Sequence, residues 1–145
     1  MPCAPHAVRA VADTDTVVSG LLWTGAPRAL LIAARAGKLS LYTSATLLDE
    51  LFDVLTRAKF TKRVTASNMS VERLVRRNAQ FAQRVIPASI DPVILADPDD
   101  DQVIACAIAA RADLIISGDR HLRDIQSHQG IRIVSTGEAL RLITQ

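Results

Sequence analysis

Asp13, Glu50, Asp101 and Asp119 are the residues of this 145-residue chain whose types and spacing could do chemistry together. Asp13 closes the apolar run Val8–Ala12, and Asp119 follows Leu114–Ser117 across Gly118. Glu50 lies in an early turn of the helix expected after a second apolar run, and Asp101 in the first turns of a helix opened by Asp97-Pro98. In an open α/β sheet, ligands bind outside the carboxyl ends of the strands, and helix starts that follow those strands share that edge. The four carboxylates can therefore converge. Crowded ionised carboxylates repel, and some protonate unless a cation neutralises them. An oxygen-only cluster suits Mg²⁺ or Mn²⁺. Such ions can activate water and stabilise the leaving oxygen of a phosphodiester. Taken singly, each acid has a plainer explanation: a strand-end Asp as a turn or cap residue, Asp97, Asp99 and Asp100 as an N-cap and first-turn charges on a helix dipole, Glu50 as a dipole charge. The combination on one edge favours the metal reading.

The elements that must hold these residues alternate between apolar runs and helical patterns, which predicts an α/β fold with a parallel sheet. Strands are expected at Val8–Ala12, Leu39–Tyr42, Arg84–Ile86, Leu114–Ser117 and Ile131–Val134. Helices are expected over Ala26–Ala36 (closed by Gly37), from Ser44 or Thr46 through Leu55, from Asp97 to about Arg111, around His121–Ile125, and from Ser135 or Thr136 to Leu142. Phe60 to Gln83 reads as one short and one longer helix. Asp101 falls on one helix face with Ile104, Ala105 and Ile108, which turns it toward the core.

Length gives one domain, residues 8–145, behind a short disordered lead over 1–7. With 49% apolar residues the chain can build a full core. The longest uncharged stretch, Thr16 to Pro27, is too short for a spanning helix, and Met1–His6 lacks a signal-peptide pattern. The expected location is therefore the cytoplasm, with no membrane partner. Cys3 and Cys106 have no metal spacing, and Cys106 reads as a small buried filler. His6, His121 and His128 are scattered and read as surface or loop residues, and Trp23 as core or interface packing. A mean hydropathy of +0.20 is high for a small monomer and points to a covered apolar surface.

Charge is uneven. Between Arg57 and Arg84 stand eight basic residues (Arg57, Lys59, Lys62, Arg63, Arg73, Arg76, Arg77 and Arg84) against one acid, Glu72. That segment carries +7 and the remainder −5, for a net +2. A basic arm beside an acidic centre suits a polyanion whose flanking phosphates the arm would hold. Five aromatics leave little for a base-stacking platform, so phosphate-dominated, salt-sensitive binding is expected.

With these residues in view, the chain resembles the PIN-domain ribonucleases, in particular the VapC-like branch of toxins from toxin–antitoxin systems. Val11-Ala12-Asp13-Thr14-Asp15-Thr16-Val17-Val18-Ser19 is similar to the family's opening Asp-Thr-Asn motif, and Leu21-Leu22-Trp23 with Gly25-Ala26-Pro27 to the segment after it. Asp49-Glu50-Leu51 within Ser44–Leu55 resembles the second motif, and Arg57-Ala58-Lys59-Phe60 the branch's Arg-Pro-Lys-Phe stretch. Asp97-Pro98-Asp99-Asp100-Asp101 with Ala105-Cys106-Ala107 resembles the third motif, and Ile115-Ile116-Ser117-Gly118-Asp119 the fourth. The resemblance implies a three-layer α/β/α sandwich around a parallel sheet. It also implies Mg²⁺- or Mn²⁺-dependent RNA cleavage, with Asp13, Glu50, Asp101 and Asp119 as ligands, a homodimer, and a cognate antitoxin protein. Ser117 matches a hydroxyl position that hydrogen-bonds near the metal. Asp15 stands where the family usually has Asn and adds charge. Several acids compete for the third position: Asp101 fits best by its place before Val103-Ile104-Ala105, Asp100 is its nearest rival, and Asp124 is a candidate outer carboxylate.

Three functions compete at this point. The leading one is an endoribonuclease in which metal-activated water attacks phosphorus in line and no side chain acts as nucleophile. Asp13-Thr14-Asp15-Thr16-Val17 also fits the Asp-x-Asp opening of haloacid-dehalogenase-like phosphatases. Lys38, Lys59 and Lys62 are the chain's lysines, however, and none precedes the last motif at the spacing that chemistry needs. The third is a PIN-like scaffold that binds without cutting.

Overall fold

A computed structural model describes residues 7–89 and 98–144, with Pro98 and Asp99 described by their backbone alone. Six strands form one sheet: β1 (Val8–Ala12), β2 (Leu39–Thr43), β3 (Ala82–Arg84), β4 (Leu114–Ile116), β5 (Ser127–His128) and β6 (Ile131–Val134), in the order β3-β2-β1-β4-β6-β5. All neighbours pair in parallel except β5, which runs antiparallel to β6 at the edge. The chain leaves β1 toward β2 and β3 on one side and returns through β4 and β6 on the other. The topological switch point therefore lies between β1 and β4, where such sheets open their ligand crevice.

Eight helices flank the sheet among the described residues: α1 (Thr14–Leu22), α2 (Ala26–Arg35), α3 (Ala45–Leu55), α4 (Thr61–Ala66), α5 (Val71–Phe81), α6 (Pro98–Ala109), α7 (Arg120–Ile125) and α8 (Thr136–Ile143). The central strands β1 and β4 carry buried residues on both faces, so successive residues feed different cores. Ala10, Ala12, Leu114 and Ile116 join the layer built with α1, α2 and α5. Val11 and Ile115 pack with Ile104, Cys106 and Ala107 of α6 on the other face. The result is the expected three-layer α/β/α sandwich. Each fully buried Ile or Leu contributes roughly 1.5–3 kcal/mol relative to exposure. Burial also pushes the Cys106 thiol up to about 12, as suits an inert filler.

The capping chemistry follows the sequence. Ser44, Ser70 and Ser135 each accept a hydrogen bond from a first-turn backbone N–H of α3, α5 and α8. Pro98 opens α6 as expected, while its anticipated cap Asp97, the N-terminal lead, Cys3 and His6 lie outside the described residues. Four expectations need correction. Residues 14–22, left without an element, form α1. The strand expected at Arg84–Ile86 is two residues earlier, because Leu41 and Thr43 of β2 pair with Ala82 and Arg84; Ile86 is 90% exposed. β4 stops at Ile116, freeing Ser117 for the site. Finally, β5 forms an unforeseen hairpin with β6. Gln129 and Gly130 both take positive φ (50° and 82°), the combination a two-residue primed turn requires.

Among the described residues no single helix is long and apolar enough to cross a membrane; α1 and α2 reach that composition only together, bent by 91°.

Candidate metal centre

The switch point places two ends side by side. Ala12 registers with Ile116, so Asp13 and Ser117, the next residue of each chain segment, emerge together beyond β1 and β4. The Asp13 N–H donates to the Ile116 carbonyl at 3.0 Å, which ties the two ends. Asp13 is 5% exposed and also caps α1, its Oδ1 accepting from the Thr16 N–H at 2.9 Å. Its Oδ2 accepts a short hydrogen bond from the fully buried Ser117 hydroxyl. The Ser117 oxygen in turn accepts from the Asp119 N–H at 2.8 Å. One serine thus fixes both strand-end aspartates, each through a different hydrogen bond.

Asp119 caps α7, its Oδ1 accepting from the His121 N–H at 2.7 Å and more distantly from Leu122. The His121 imidazole folds back so that Nδ1 stands 3.6 Å from the same Oδ1. Asp100, in the first turn of α6, reaches the same place from the neighbouring helix. Asp100, Asp119 and His121 each offer one ligand atom, and these atoms lie within 4.8 Å of one another. Asp100 is 8% exposed, with its Oδ2 buried. Burial holds the Asp13 carboxyl above the usual carboxylate range, with the nearby Asp15 charge adding to it, against the lowering effect of hydrogen bonds from Ser117 and Thr16.

The expected residues are distributed as follows. Asp13, Ser117 and Asp119 form one hydrogen-bonded chain. Asp100 enters the ligand group and Asp101 does not: the neighbours of Asp100 three, four and seven residues on, Val103, Ile104 and Ala107, are all core, whereas Ile108 on the Asp101 face is half-buried. Asp101 and Glu50 are themselves half-buried. Glu50 stands in the second turn of α3, which packs on both α1 and α6. Asp15 and Asp124 are exposed. His121 is exposed, as expected of a surface residue, and it also meets the Asp119 cap: two residues after a helix-capping Asp, a side chain can fold back over that cap.

The basic residues lie elsewhere. Arg57, which pairs with Asp53 at 3.3 Å, follows the C-terminal end of α3. Lys59 sits in a 3₁₀ turn, Lys62 and Arg63 in α4, and Arg73, Arg76 and Arg77 in α5, and all are exposed. Arg63 lies over the ring of Trp23, 4.9 Å from its centroid. Trp23 ends the helix that Asp13 begins, so by the rise of a helix its backbone lies about 15 Å from that of Asp13.

The donor set fits a divalent cation of the Mg²⁺–Mn²⁺ class. Carboxylates dominate, one imidazole is present, and among the described residues no Lys or Arg side chain forms an ion pair with Asp13 or Asp119. Residues 9–121, more than three quarters of the chain, match the family described as PIN domain. No curated protein matches the chain.

Proposed function

We propose a function from one premise: the chain belongs to the PIN domain family, a superfamily of metal-dependent nucleases. On our reading it is an endoribonuclease that uses Mg²⁺ or Mn²⁺ to hydrolyse RNA phosphodiesters. The observation that carries this is the meeting of Asp100, Asp119 and His121 beside the Asp13–Ser117–Asp119 hydrogen-bonded chain at the switch point. Asp100, Asp119 and His121 would hold the divalent cation, which would supply Lewis acidity toward phosphate oxygen and water.

The protein's own part is preorganisation. Ser117 donates to the Asp13 carboxylate and accepts from the Asp119 backbone, while the Asp119 carboxylate is held by the His121 N–H, so both are oriented before substrate arrives. Asp13 and Asp119 sit at helix N-termini, whose dipoles favour negative charge there. The fully buried floor of Ser117 and Ile116 keeps bulk water from one side of the site. Arg57, Lys59, Lys62, Arg63, Arg73, Arg76 and Arg77 hold phosphates of the strand away from the cut.

The resemblance of the four motifs supports a biological setting as the toxin of a toxin–antitoxin pair, acting in the cytoplasm as a homodimer and restrained by a cognate antitoxin protein. The exposed side chains of Ile32, Phe52 and Ile86 offer apolar surface to such partners. The test is cleavage of a panel of tRNAs and structured RNAs in Mn²⁺, Mg²⁺ and EDTA, with Asp13→Asn and Asp119→Asn alongside. Metal-dependent cutting lost in both variants is the expected result, with a fall on the order of 10³-fold, since removing a ligand forfeits several kcal/mol of charge stabilisation. Cutting that persists in EDTA would sink the metal mechanism. Metal binding without cutting on any RNA would leave a binding scaffold. Growth arrest on induction, relieved by the neighbouring gene's product, tests the toxin assignment, and sedimentation tests the dimer.

A further inference from the structure

The far end of α1 carries a cleft that the metal centre does not use. A cavity of about 700 Å³ opens between the α1–α2 pair and the α4–α5 pair, and Trp23, Arg35, Arg63, Arg77 and Phe81 line it. A second cavity of about 450 Å³ adjoins it, sharing Arg35, Arg77 and Phe81 and adding Arg73 and Arg76. Among the described residues, no Asp or Glu lines either one. The guanidinium groups are stacked rather than scattered: Arg63 covers Trp23 at 4.9 Å, and Arg35 and Arg77 lie 5.7 and 5.8 Å from the Phe81 ring centroid. Phe60 meets Trp23 edge-on, at 6.1 Å and 73°, and steadies its plane.

The walls are fixed by local packing. A Cβ at Gly20 would come within 2.7 Å of Leu31 Cδ1 and 2.9 Å of the Pro27 carbonyl, so glycine is what lets α1 and α2 close to this distance. Arg28 donates to the Gly20 and Leu21 carbonyls, and so belongs to the wall rather than to the ligand face.

We infer that this cleft is a second nucleic-acid subsite, which takes an unpaired nucleotide of a single strand. In it Arg35, Arg63 and Arg77, stacked on Phe81 and Trp23, hold phosphates and present their guanidinium planes to the base. Guanidinium groups recognise phosphate in planar, bidentate geometry. Aromatic and guanidinium planes are the surfaces on which unpaired bases stack. Acid-free walls leave these cations available to an anion. The inference rests on the nuclease reading for the nature of its ligand, and it places part of the binding energy one α1 length, about 15 Å along the backbone, from Asp13. A strand that spans both must be extended and unpaired, which predicts a preference for single-stranded segments.

Trp23 is the chain's single tryptophan, so its fluorescence reads this cleft alone. The experiment titrates a short oligouridylate into the wild-type protein in EDTA, where binding is seen without cleavage. Saturable, salt-sensitive quenching is expected, with affinity lowered on the order of tenfold in Arg63→Gln and in the double variant Arg35→Gln/Arg77→Gln. These arginines are exposed, and circular dichroism verifies the fold. Binding seen by anisotropy without a change in Trp23 emission, or unaltered affinity in both variants, overturns the subsite. Equal displacement by polyglutamate also overturns it, in favour of an acidic protein partner. The nuclease reading fails separately: quenching with no metal-dependent cutting keeps the subsite and removes the enzyme, while cutting with a silent Trp23 does the reverse.

Discussion

The two ends of α1 hold charge in opposite ways. At its start, Asp13 is buried, capped and tied through Ser117 to Asp119, with short side chains placed by strand ends. At its end, Arg63 and its neighbours are long, exposed side chains resting on aromatic faces, placed by two peripheral helices. The first arrangement costs desolvation and gains fixed geometry. The second keeps its hydration and can adapt to a flexible strand. The proposed metal centre and the proposed strand-binding cleft therefore differ in what their residues rest on, and each should fail in its own way when altered.

The largest contrast lies within the rigid end. Asp100→Asn should lower cleavage on the order of 10²-fold or more and weaken Mn²⁺ binding by calorimetry, because Asp100 is in the ligand group. Asp101→Asn should cost much less. Equal losses would mean that α6 rotates on loading, and a larger loss at Asp101 would reverse the assignment. Ser117→Ala comes next. It removes the hydroxyl that orients the Asp13 carboxylate and ties the Asp119 backbone while leaving every candidate ligand in place, so a loss of about 10–100-fold in activity or metal affinity is expected, as for other residues that orient metal ligands. If Ser117→Ala were as active as wild type, the hydrogen-bonded chain would be structural alone.

The adaptable end should respond to salt rather than to metal. The triple variant Arg73→Gln/Arg76→Gln/Arg77→Gln should bind single-stranded RNA more weakly and with a flatter salt dependence. Each lost phosphate contact removes about 0.7 from the log–log slope, or about 2 in all if each arginine makes one. Its affinity for Mn²⁺ should stay at the wild-type value. An unchanged slope would place the strand elsewhere.

The sequence exposed the framework better than the depth of burial. β1 and β6 begin and end where their mainly Val, Ile and Ala runs do, each run broken by one exposed arginine, Arg9 or Arg132. α1 escaped notice because Thr14, Thr16, Val17 and Val18 are β-branched and Gly20 is a poor helix former. Its stability comes from the Asp13 cap and from close packing on α2, which propensity does not carry. Asp13, Ser117 and Asp119 were legible because they follow strand ends. The choice between Asp100 and Asp101 was not, since successive residues on a helix differ by about 100° and either can be fitted to an apolar stripe. The contacts of His121 and Arg35 were not legible for a related reason: each is made with a neighbour the side chain folds against, Asp119 in one case and Phe81 in the other.

The smallest effect tests the cost of the rigid end directly. Burial raises the Asp13 pKa in the folded protein above that of a free aspartate. Below that value both states carry the proton and the group favours neither. As pH rises, the unfolded chain releases its proton first, so the folded state loses relative stability until its own carboxyl ionises, and the loss then levels off. Asp13→Asn removes this titration, while the amide oxygen can still cap α1 through the Thr16 N–H. In EDTA, the variant's urea midpoint relative to wild type should therefore rise from acid toward neutral pH and then plateau. Adding Mn²⁺ at neutral pH should narrow the gap, because a cation bound beside the ionised carboxylate stabilises the folded wild type preferentially. A gap that is flat with pH would show that Asp13 ionises without penalty, and the contrast between the two ends of α1 would then rest on geometry alone.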